Sequence, residues 1–284
     1  MRSDTTTMSE QDLTDEVAAR LEATPDPRLR EIMQSLVKHL HAFVRDVRLT
    51  DEEWAAGIAF LTKTGQMCDD VRQEYILLSD TLGVSSLVDL INHSHVGDAD
   101  HATEPTILGP FYVPESPWRE FGESMVEFDD GGEATILRGR VLDEAGEPIT
   151  GALIDAWQNA ATGFYAVQQP DVQPPTNLRG RYLTNDRGEF EIRTVRPVPY
   201  PIPADGPVGK LLRDTGRHEW RAAHIHVKVS ADGFTPLTTH LFDRQSKYLD
   251  SDTVFGVKAS LIEDFIPQSD GTLLCQRDFV LVRE

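Results

Sequence analysis

The sequence predicts an α+β protein in which an all-helical N-terminal domain, residues 1–104, is followed by a β-sandwich domain, residues 105–284. In the first hundred residues apolar side chains recur at steps of three and four, as on an amphipathic helix. Beyond residue 104, short β-rich runs alternate with turn signals, as in a sandwich or barrel. A chain of 284 residues is long enough for each domain to bury a core.

Composition and charge narrow the range of partners. With 39% hydrophobic and 26% charged residues the chain has an ordinary globular composition. A net charge of −20 would be repelled by nucleic acid and by anionic membranes, so neither is expected as a partner. Residues 1–13, MRSDTTTMSEQDL, lack the apolar core of a signal peptide, and the two cysteines, Cys68 and Cys275, suit a reducing compartment. We therefore expect a cytoplasmic protein.

The first long helix carries one apolar stripe. Its members follow helical spacing and are Leu29, Ile32, Met33, Leu36, Val37, Leu40, Phe43, Val44 and Val47. The common explanation of such a stripe is the inner face of a helical bundle. The alternative is that a helical region this small shares the stripe with a second copy of the chain, which predicts a homodimer through the N-terminal helices. One stripe is able to pack inside the bundle and also to contact a second copy of the chain.

Local signals predict where further helices begin and end. Thr50 and Glu53 have the spacing of a capping box that opens the next helix. Gly83, at the end of VRQEYILLSDTLG, is a good C′ residue, and Ser85 is predicted to cap one more short helix. The later β-rich runs are separated by turns, which are Glu144-Ala145-Gly146, Asp186-Arg187-Gly188, Asp232-Gly233 and Asp270-Gly271.

One strand, HIHVKV, combines an apolar face with two imidazoles. Successive side chains of a strand point to opposite faces, so His224 and His226 lie on one face while Ile225 and Val227 lie on the other. Imidazoles two residues apart on one face are able to converge on a metal ion. A histidine pair is a weak signal alone, since polar sheet faces are often only solvated. Cysteine is not available as a further ligand, which leaves carboxylates and tyrosines.

Two tyrosines occur where loops present them. Tyr165 ends the GFY of NAATGFYAVQQP, and Tyr200 lies in RPVPYPIPADGP, where alternating prolines predict a stiff extended loop. The ordinary alternatives are a buried aromatic for Tyr165 and a surface aromatic for Tyr200. Phenolates are hard anionic ligands, so two of them with two neutral imidazoles would favour Fe(III) over zinc.

Longer segments resemble a known family. The chain from about residue 106 to 255 resembles the intradiol ring-cleavage dioxygenases, most closely the branch that cleaves hydroxyquinol (1,2,4-trihydroxybenzene), and the N-terminal helices are compatible with it. The segments that carry this resemblance are IDAWQNAATGFYAVQQP, NLRGRYLTND, YPIPADGPVG, LLRDTGRHEWRAAHIH and LTTHLFD.

The resemblance implies a metal centre. One non-haem Fe(III) per chain would be held by Tyr165, Tyr200, His224 and His226. Tyr200 matches the ligand that the substrate displaces and that accepts a substrate proton. Arg221 matches the family arginine that stabilises charge on the substrate, and its ordinary alternative is a salt bridge at a strand end.

The resemblance also implies a substrate pocket. Its walls would be formed by Leu77, Asp80, Ile107, Leu108, Gly109, Pro110, Phe111, Ile202, Pro203, Arg221, His240 and Val254. The apolar members have plain core packing as their alternative. Asp80 is a polar group among those apolar members, and it needs a hydrogen-bond partner that the third hydroxyl of hydroxyquinol is able to supply. Ala222 stands where the family usually has proline, and His240 stands where catechol-cleaving members have glutamine.

The activity implied is cleavage of hydroxyquinol by O2 to 3-hydroxy-cis,cis-muconate, which tautomerises to maleylacetate, in aromatic catabolism. A second possibility is a catechol or chlorocatechol 1,2-dioxygenase that uses the same iron. A remote one is a non-catalytic, transthyretin-like β-sandwich binding module, which RGRVLDEAGEPITGALIDAW alone resembles. Such modules lack the two tyrosines and two histidines, so iron content separates the classes.

Overall fold

The computed structural model describes residues 8–69, 72–93 and 102–284. The chain divides into two compact units, residues 1–62 and 63–284, which are described separately. Within the described ranges, the search for a helix long and apolar enough to cross a membrane finds none.

The first unit is helical. Its helices are α1 (Glu10–Leu21), α2 (Pro27–Val47) and α3 (Asp51–Gln66), the last extending past residue 62. Asp26 caps α2, because its carboxylate accepts hydrogen bonds from the N–H groups of Arg28 and Leu29. The predicted capping box of α3 is confirmed, since the N–H of Glu53 donates to Thr50 Oγ1 at 3.2 Å and the N–H of Thr50 donates to Glu53 Oε2 at 2.9 Å.

The apolar stripe of α2 lies at the surface of this chain. Its outermost members are between 44% and 53% exposed, and they are Leu29, Ile32, Leu36, Leu40, Phe43, Val44 and Val47. No residue of α2, which is described throughout, is buried. A row of large apolar side chains left this accessible is unusual for a protein surface in contact with water alone.

Three more α-helices occur among the described residues of the second unit. They are α4 (Glu74–Thr81), α5 (Val84–Asn92) and α6 (Pro207–Asp214). Gly83 joins α4 to α5 with a φ of +74°, so the predicted glycine terminus is confirmed. The prediction that Ser85 caps the next helix is wrong. Gly83 both ends one helix and precedes the next, which places Ser85 in the first turn of α5.

The described residues of this unit also form twelve strands. They are β1 (Ala134–Asp143), β2 (Leu153–Trp157), β3 (Arg179–Leu183), β4 (Glu189–Val195), β5 (Tyr200–Pro201), β6 (Trp220–Arg221), β7 (His224–Ser230), β8 (Leu237–Asp243), β9 (Ile262–Glu263), β10 (Ile266–Pro267), β11 (Leu273–Gln276) and β12 (Phe279–Leu281). The predicted turns hold glycines with positive φ at 146, 188, 233 and 271.

The strands form two main sheets packed face to face. One has the order β10-β11-β1-β12 with β4 also paired to β1, and the other has the order β3-β2-β7-β8-β9. A single apolar cluster takes side chains from both sheets, among them Leu137, Phe190 and Phe279 from the first and Ile154 and Val227 from the second. The predicted α+β fold, helices followed by a β-sandwich, is therefore confirmed.

Strand β7 has the two faces that its sequence predicts. Ile225, Val227 and Val229 are fully buried in the core between the sheets. His224 and His226 project from the opposite face, yet they are 0% and 1% exposed. That outer face is therefore covered, and the residues that cover it form the candidate site.

Candidate active site

The two imidazoles of β7 meet at their Nε2 atoms. His224 Nε2 lies 3.1 Å from His226 Nε2. The Nδ1 of His224 lies 2.6 Å from the carbonyl oxygen of Ala222, which only accepts, so the ring proton of His224 sits on Nδ1. Its Nε2 therefore carries a lone pair that points into the site, as a metal ligand requires.

The ring of His226 is fixed on three sides. The indole of Trp157, its neighbour across the β2–β7 pair, stacks on it with ring centroids 4.7 Å apart and an interplanar angle of 11°. Its Nε2 lies 3.1 Å from Tyr165 Oη, and its Nδ1 lies 2.8 Å from His240 Nε2. A Cβ at Gly109 would come within 3.0 Å of His226 Cε1, so only glycine lets that loop approach the ring without displacement.

Burial keeps these histidines neutral. It lowers the pKa of His224 to about 3, and the nearby Arg221 charge adds to the effect. Burial also lowers the pKa of His226 and of His240 well below the ordinary value, with repulsion from neighbouring cations contributing. Neutral imidazoles are the form that binds metal ions.

Tyr165 lies beyond the end of β2 and directly before a short 3₁₀ helix, Ala166–Gln168. It is fully buried, stacks on Phe111 at a centroid distance of 4.6 Å, and meets the ring of Tyr200 edge-on at 5.3 Å. Burial first, and then the neighbouring Tyr200 oxygen, raise the pKa of Tyr165 well above the ordinary value. A cation in the site would reverse this, because a bound metal ion favours the phenolate.

Tyr200 was predicted on a stiff extended loop, and its backbone is extended but belongs to a strand. It begins the short strand β5, which pairs with β6 so that Tyr200 lies opposite Arg221, and its side chain is 1% exposed. Arg221 Nη1 lies 3.5 Å from Tyr200 Oη and 3.4 Å from His224 Nε2. The proline-rich segment therefore supplies a buried, paired position for the phenol.

The guanidinium of Arg221 is oriented by Asp252, a residue that the sequence did not single out. Arg221 Nε donates to Asp252 Oδ1 at 3.1 Å. The same oxygen accepts the N–H of Ala222 at 3.2 Å, a donor that the usual proline lacks. Burial alone would lower the pKa of Arg221, but the charge and hydrogen bond of Asp252, together with the oxygens of Tyr200 and Tyr165, outweigh it and the pKa lies above its ordinary value. Burial would likewise raise the pKa of Asp252, yet Arg221 holds it lower.

The predicted pocket residues fall into two groups. Besides Phe111 and Arg221, six are buried or lie close to the four predicted ligands or their neighbours, and they are Leu77, Asp80, Gly109, Ile202, His240 and Val254. Ile107 borders a cavity of about 190 Å³ together with Phe255 and Gly256. Leu108 and Pro110 are exposed, and Pro203 is half-buried.

Asp80 is a buried acid on α4. Its side chain is hydrogen-bonded to Ser85 of α5, and burial raises the pKa of its carboxyl in spite of the Arg221 charge. The side chain is 3% exposed. An ionised carboxylate only accepts hydrogen bonds, whereas a protonated carboxyl also donates one.

A second buried arginine, Arg179, was also missed. It lies opposite Trp157 in the β2–β3 pair, is 2% exposed, and donates through Nη2 to the carbonyl of Phe111 at 2.9 Å. Burial lowers its pKa, which the nearby Tyr165 and Asp155 partly offset. Nothing in the RGRY pattern, an ordinary alternation on a strand, marks it as buried.

The donor set fits a metal ion. Two phenol oxygens and two neutral imidazole nitrogens are gathered within one buried space, and adjacent donors are 3.1 Å apart at His224, His226 and Tyr165. Donor atoms that share an ion at about 2.1 Å are separated by about 3.0–3.4 Å, so this spacing is suitable. Three histidines, His224, His226 and His240, also form a group with ligand atoms within 4.8 Å of one another. The assignment of Tyr165, Tyr200, His224 and His226 as the ligands stays a prediction.

A β-sandwich that gathers two tyrosines and two histidines beside a buried arginine defines a candidate metal-dependent oxygenase. Comparison with known families agrees. The family model described as "Dioxygenase" matches residues 107–282, and the one described as "Catechol dioxygenase N terminus" matches residues 26–100. The chain belongs to the intradiol ring-cleavage dioxygenase family and is an oxidoreductase.

Individual relatives cover nearly the whole chain. It is 49% identical to 6-chlorohydroxyquinol 1,2-dioxygenase of Cupriavidus pinatubonensis, over 95% of this chain and 96% of that protein. It is 50% identical to hydroxyquinol 1,2-dioxygenase of Rhizobium sp., over 88% of this chain and 83% of the relative. A solved structure of hydroxyquinol 1,2-dioxygenase from Pseudomonas putida DLL-E4 superimposes with a TM-score of 0.90 at 48% identity, covering 97% of this chain and 99% of that one.

Proposed function

We propose that the protein is a hydroxyquinol 1,2-dioxygenase that holds one non-haem Fe(III) per chain. It would cleave hydroxyquinol with O2 between the adjacent hydroxyls, giving 3-hydroxy-cis,cis-muconate and, by tautomerisation, maleylacetate. The observation that carries the proposal is the convergence of Tyr165, Tyr200, His224 and His226 beside Arg221 in one buried space. The relatives at 49% and 50% identity, which are named for hydroxyquinols, support the substrate.

Each residue of the centre has a role in this proposal. Fe(III), when bound, would hold the substrate through its adjacent oxygens and activate the ring carbons that carry them toward O2. Tyr165, His224 and His226 would stay as ligands, held by packing against Phe111, Trp157 and the Ala222 carbonyl. Tyr200 would give way to the substrate and accept a proton at Oη, because a released phenolate is basic.

Arg221 would supply fixed positive charge. Its guanidinium lies 3.5 Å from Tyr200 Oη and is held by the buried carboxylate of Asp252. A cation already oriented in a water-excluded site stabilises developing negative charge on the substrate ring without reorganisation. Arg221 is a charge-stabilising residue in this scheme, since it lies beside the atoms that react.

Asp80 would recognise the third hydroxyl. It is a buried acid of α4 close in sequence to the apolar pocket residue Leu77, and its Ser85 hydrogen bond orients it. A hydroxyl on the ring that exchanged hydrogen bonds with Asp80 would favour hydroxyquinol over catechol, because catechol would leave the carboxyl with Ser85 but without this second partner.

We further propose that two copies pair through their N-terminal helices, in a domain that ends near residue 104. The stripe of α2 is 44–53% exposed at its outer positions, and the same stripe on a second copy offers a self-complementary apolar partner.

The two cysteines are free, which supports a cytoplasmic location.

Two measurements test the proposed activity. The purified protein is assayed for iron, and oxygen uptake is recorded over a panel of hydroxyquinol, catechol and chlorocatechols. We expect about one iron per chain and the largest kcat/KM for hydroxyquinol. If the protein carries iron but has a larger kcat/KM for catechol, the substrate assignment is wrong. If it is active, colourless and loaded with zinc, the iron assignment is wrong.

A further inference from the structure

His240 makes its contact on the side of His226 that faces away from the other donors. The two residues lie opposite each other in the β7–β8 pair, and His240 Nε2 is 2.8 Å from His226 Nδ1. Their rings are nearly perpendicular, at 86°, with centroids 4.2 Å apart. Both side chains are buried, so water does not compete for this hydrogen bond.

This contact concerns which ring nitrogen of His226 carries the proton and which one offers its lone pair to a metal ion. His226 faces Tyr165 and His224 with Nε2. An imidazole offers a lone pair at Nε2 only when its proton sits on Nδ1, and that N–H then needs an acceptor. Among the described residues, the hydrogen-bond partner of His226 Nδ1 is His240 Nε2.

The same geometry argues against His240 as a ligand to that ion. The two nitrogens of one imidazole ring point in divergent directions, so an atom bonded to Nδ1 of His226 is not directed at an ion on its Nε2. The Nε2 of His240 is engaged by His226, and its Nδ1 has no hydrogen-bond partner within the part of the chain that the structure describes. His240 therefore has one good interaction, and that interaction is with His226.

We propose that His240 is a positioning residue that accepts the Nδ1 proton of His226 and so keeps the Nε2 lone pair of His226 directed at the metal. The inference rests on the proposed iron site. It assigns to His240 a role through His226 rather than the direct substrate contact that the sequence resemblance implied.

Two variants of matched size separate these roles. Glutamine and methionine have similar length, but only glutamine carries a carbonyl oxygen able to accept the Nδ1 proton. We would compare His240→Gln and His240→Met with the wild-type holoenzyme in iron content, rate of iron loss to a chelator, visible absorption of the tyrosinate–iron centre, and KM. Thermal unfolding of each variant reports whether it has folded.

We expect His240→Met to lose iron about 10–100-fold faster and to shift the visible band, while His240→Gln keeps the slow iron loss and the band of the wild type. The proposal is overturned if both variants keep iron and band unchanged and only KM rises, which would make His240 a substrate contact. It is also overturned if both lose iron equally, which would make His240 a ligand. A wild-type protein without iron would overturn the proposed function itself, together with this inference.

Discussion

Arg221 and Asp252 form an ion pair in which both side chains are only 2% exposed, with 3.1 Å between Nε and Oδ1. The carboxylate has further donors, because the N–H groups of Ala222 and Gly256 also reach it, at 3.2 and 2.9 Å. A buried charge pair is tolerated only when its remaining hydrogen bonds are satisfied in this way. The loop that holds Asp252 therefore sets the orientation of the charge that faces Tyr200.

Removal of the negative charge of Asp252 should lower both the stability and the activity of the protein. Asp252→Asn leaves the guanidinium of Arg221 buried without a counter-charge, and we expect a loss of about 3–5 kcal/mol in the free energy of unfolding, together with a lower kcat. Urea unfolding and oxygen uptake measure the two effects. The matched control is Asp264→Asn, whose ion pair with Arg244 is 55–60% exposed and should be worth less than about 1 kcal/mol. Equal losses in the two variants would contradict the argument.

The proposed ligands should control both iron and colour. Tyrosinate bound to Fe(III) absorbs visible light, so Tyr165→Phe should shift or bleach the band and His224→Ala should lose most of the iron. Absorption spectra and metal analysis measure these changes. Tyr182→Phe is the control, because Tyr182 is an equally buried phenol whose hydroxyl donates to the carbonyl of Glu123. A band that is unchanged in Tyr165→Phe would remove Tyr165 from the ligand set.

Local patterns allowed much of the fold to be predicted. Alternation in HIHVKV identified the core face of β7, because a strand has a period of two, and Ile225 and Val227 are indeed buried. The capping box at Thr50 and the glycine at 83 fixed two helix boundaries, since both depend on residues close in sequence. The position of Tyr165 beside His226, by contrast, came from resemblance to a family.

Features set by contacts distant in sequence could not be predicted. Asp252 meets Arg221 from 31 residues away, and nothing in SDTVFG distinguishes it from a surface loop acid. Alternating prolines around Tyr200 correctly indicated an extended backbone, but not that the segment would pair with β6 and be buried. His240 was placed by family position alone, and its hydrogen bond to His226 appears only when β7 and β8 are paired.

The stability of the protein should depend on the charge of Asp80. Burial raises its pKa in the folded state above the unfolded value near 3.8, so the folded protein binds the proton more tightly. Stability is then greatest below the unfolded pKa and falls as pH rises through the folded pKa. Asp80→Asn cannot ionise, so its advantage over the wild type in urea unfolding should be near zero at low pH and grow as pH rises toward neutrality. A difference independent of pH would show that Asp80 is not buried in this way.

The dimer should depend on the stripe of α2. Leu40 is 52% exposed, and Leu40→Asp would place a charge in the proposed apolar contact, which is costly to desolvate. We expect the wild type to sediment near twice the chain mass of 31.7 kDa and the variant to dissociate at micromolar concentration. Lys38→Asp, an exposed position of the same helix outside the stripe, should leave the mass unchanged. A wild-type monomer would refute the pairing.

Substrate preference should follow the side chain at position 80. If Asp80 exchanges hydrogen bonds with the third hydroxyl of hydroxyquinol, Asp80→Leu removes them while making the pocket more favourable for catechol. The loss of one such bond in a buried site is worth about 1–3 kcal/mol, so the ratio of kcat/KM for hydroxyquinol to that for catechol should fall about 5- to 150-fold. Asp80→Asn is the control, because its amide keeps a donor and an acceptor and should retain most of the preference. Steady-state oxygen uptake with both substrates gives the ratio. If the ratio is the same in Asp80→Leu and in the wild type, the third hydroxyl is recognised elsewhere in the pocket, and the iron chemistry is unaffected.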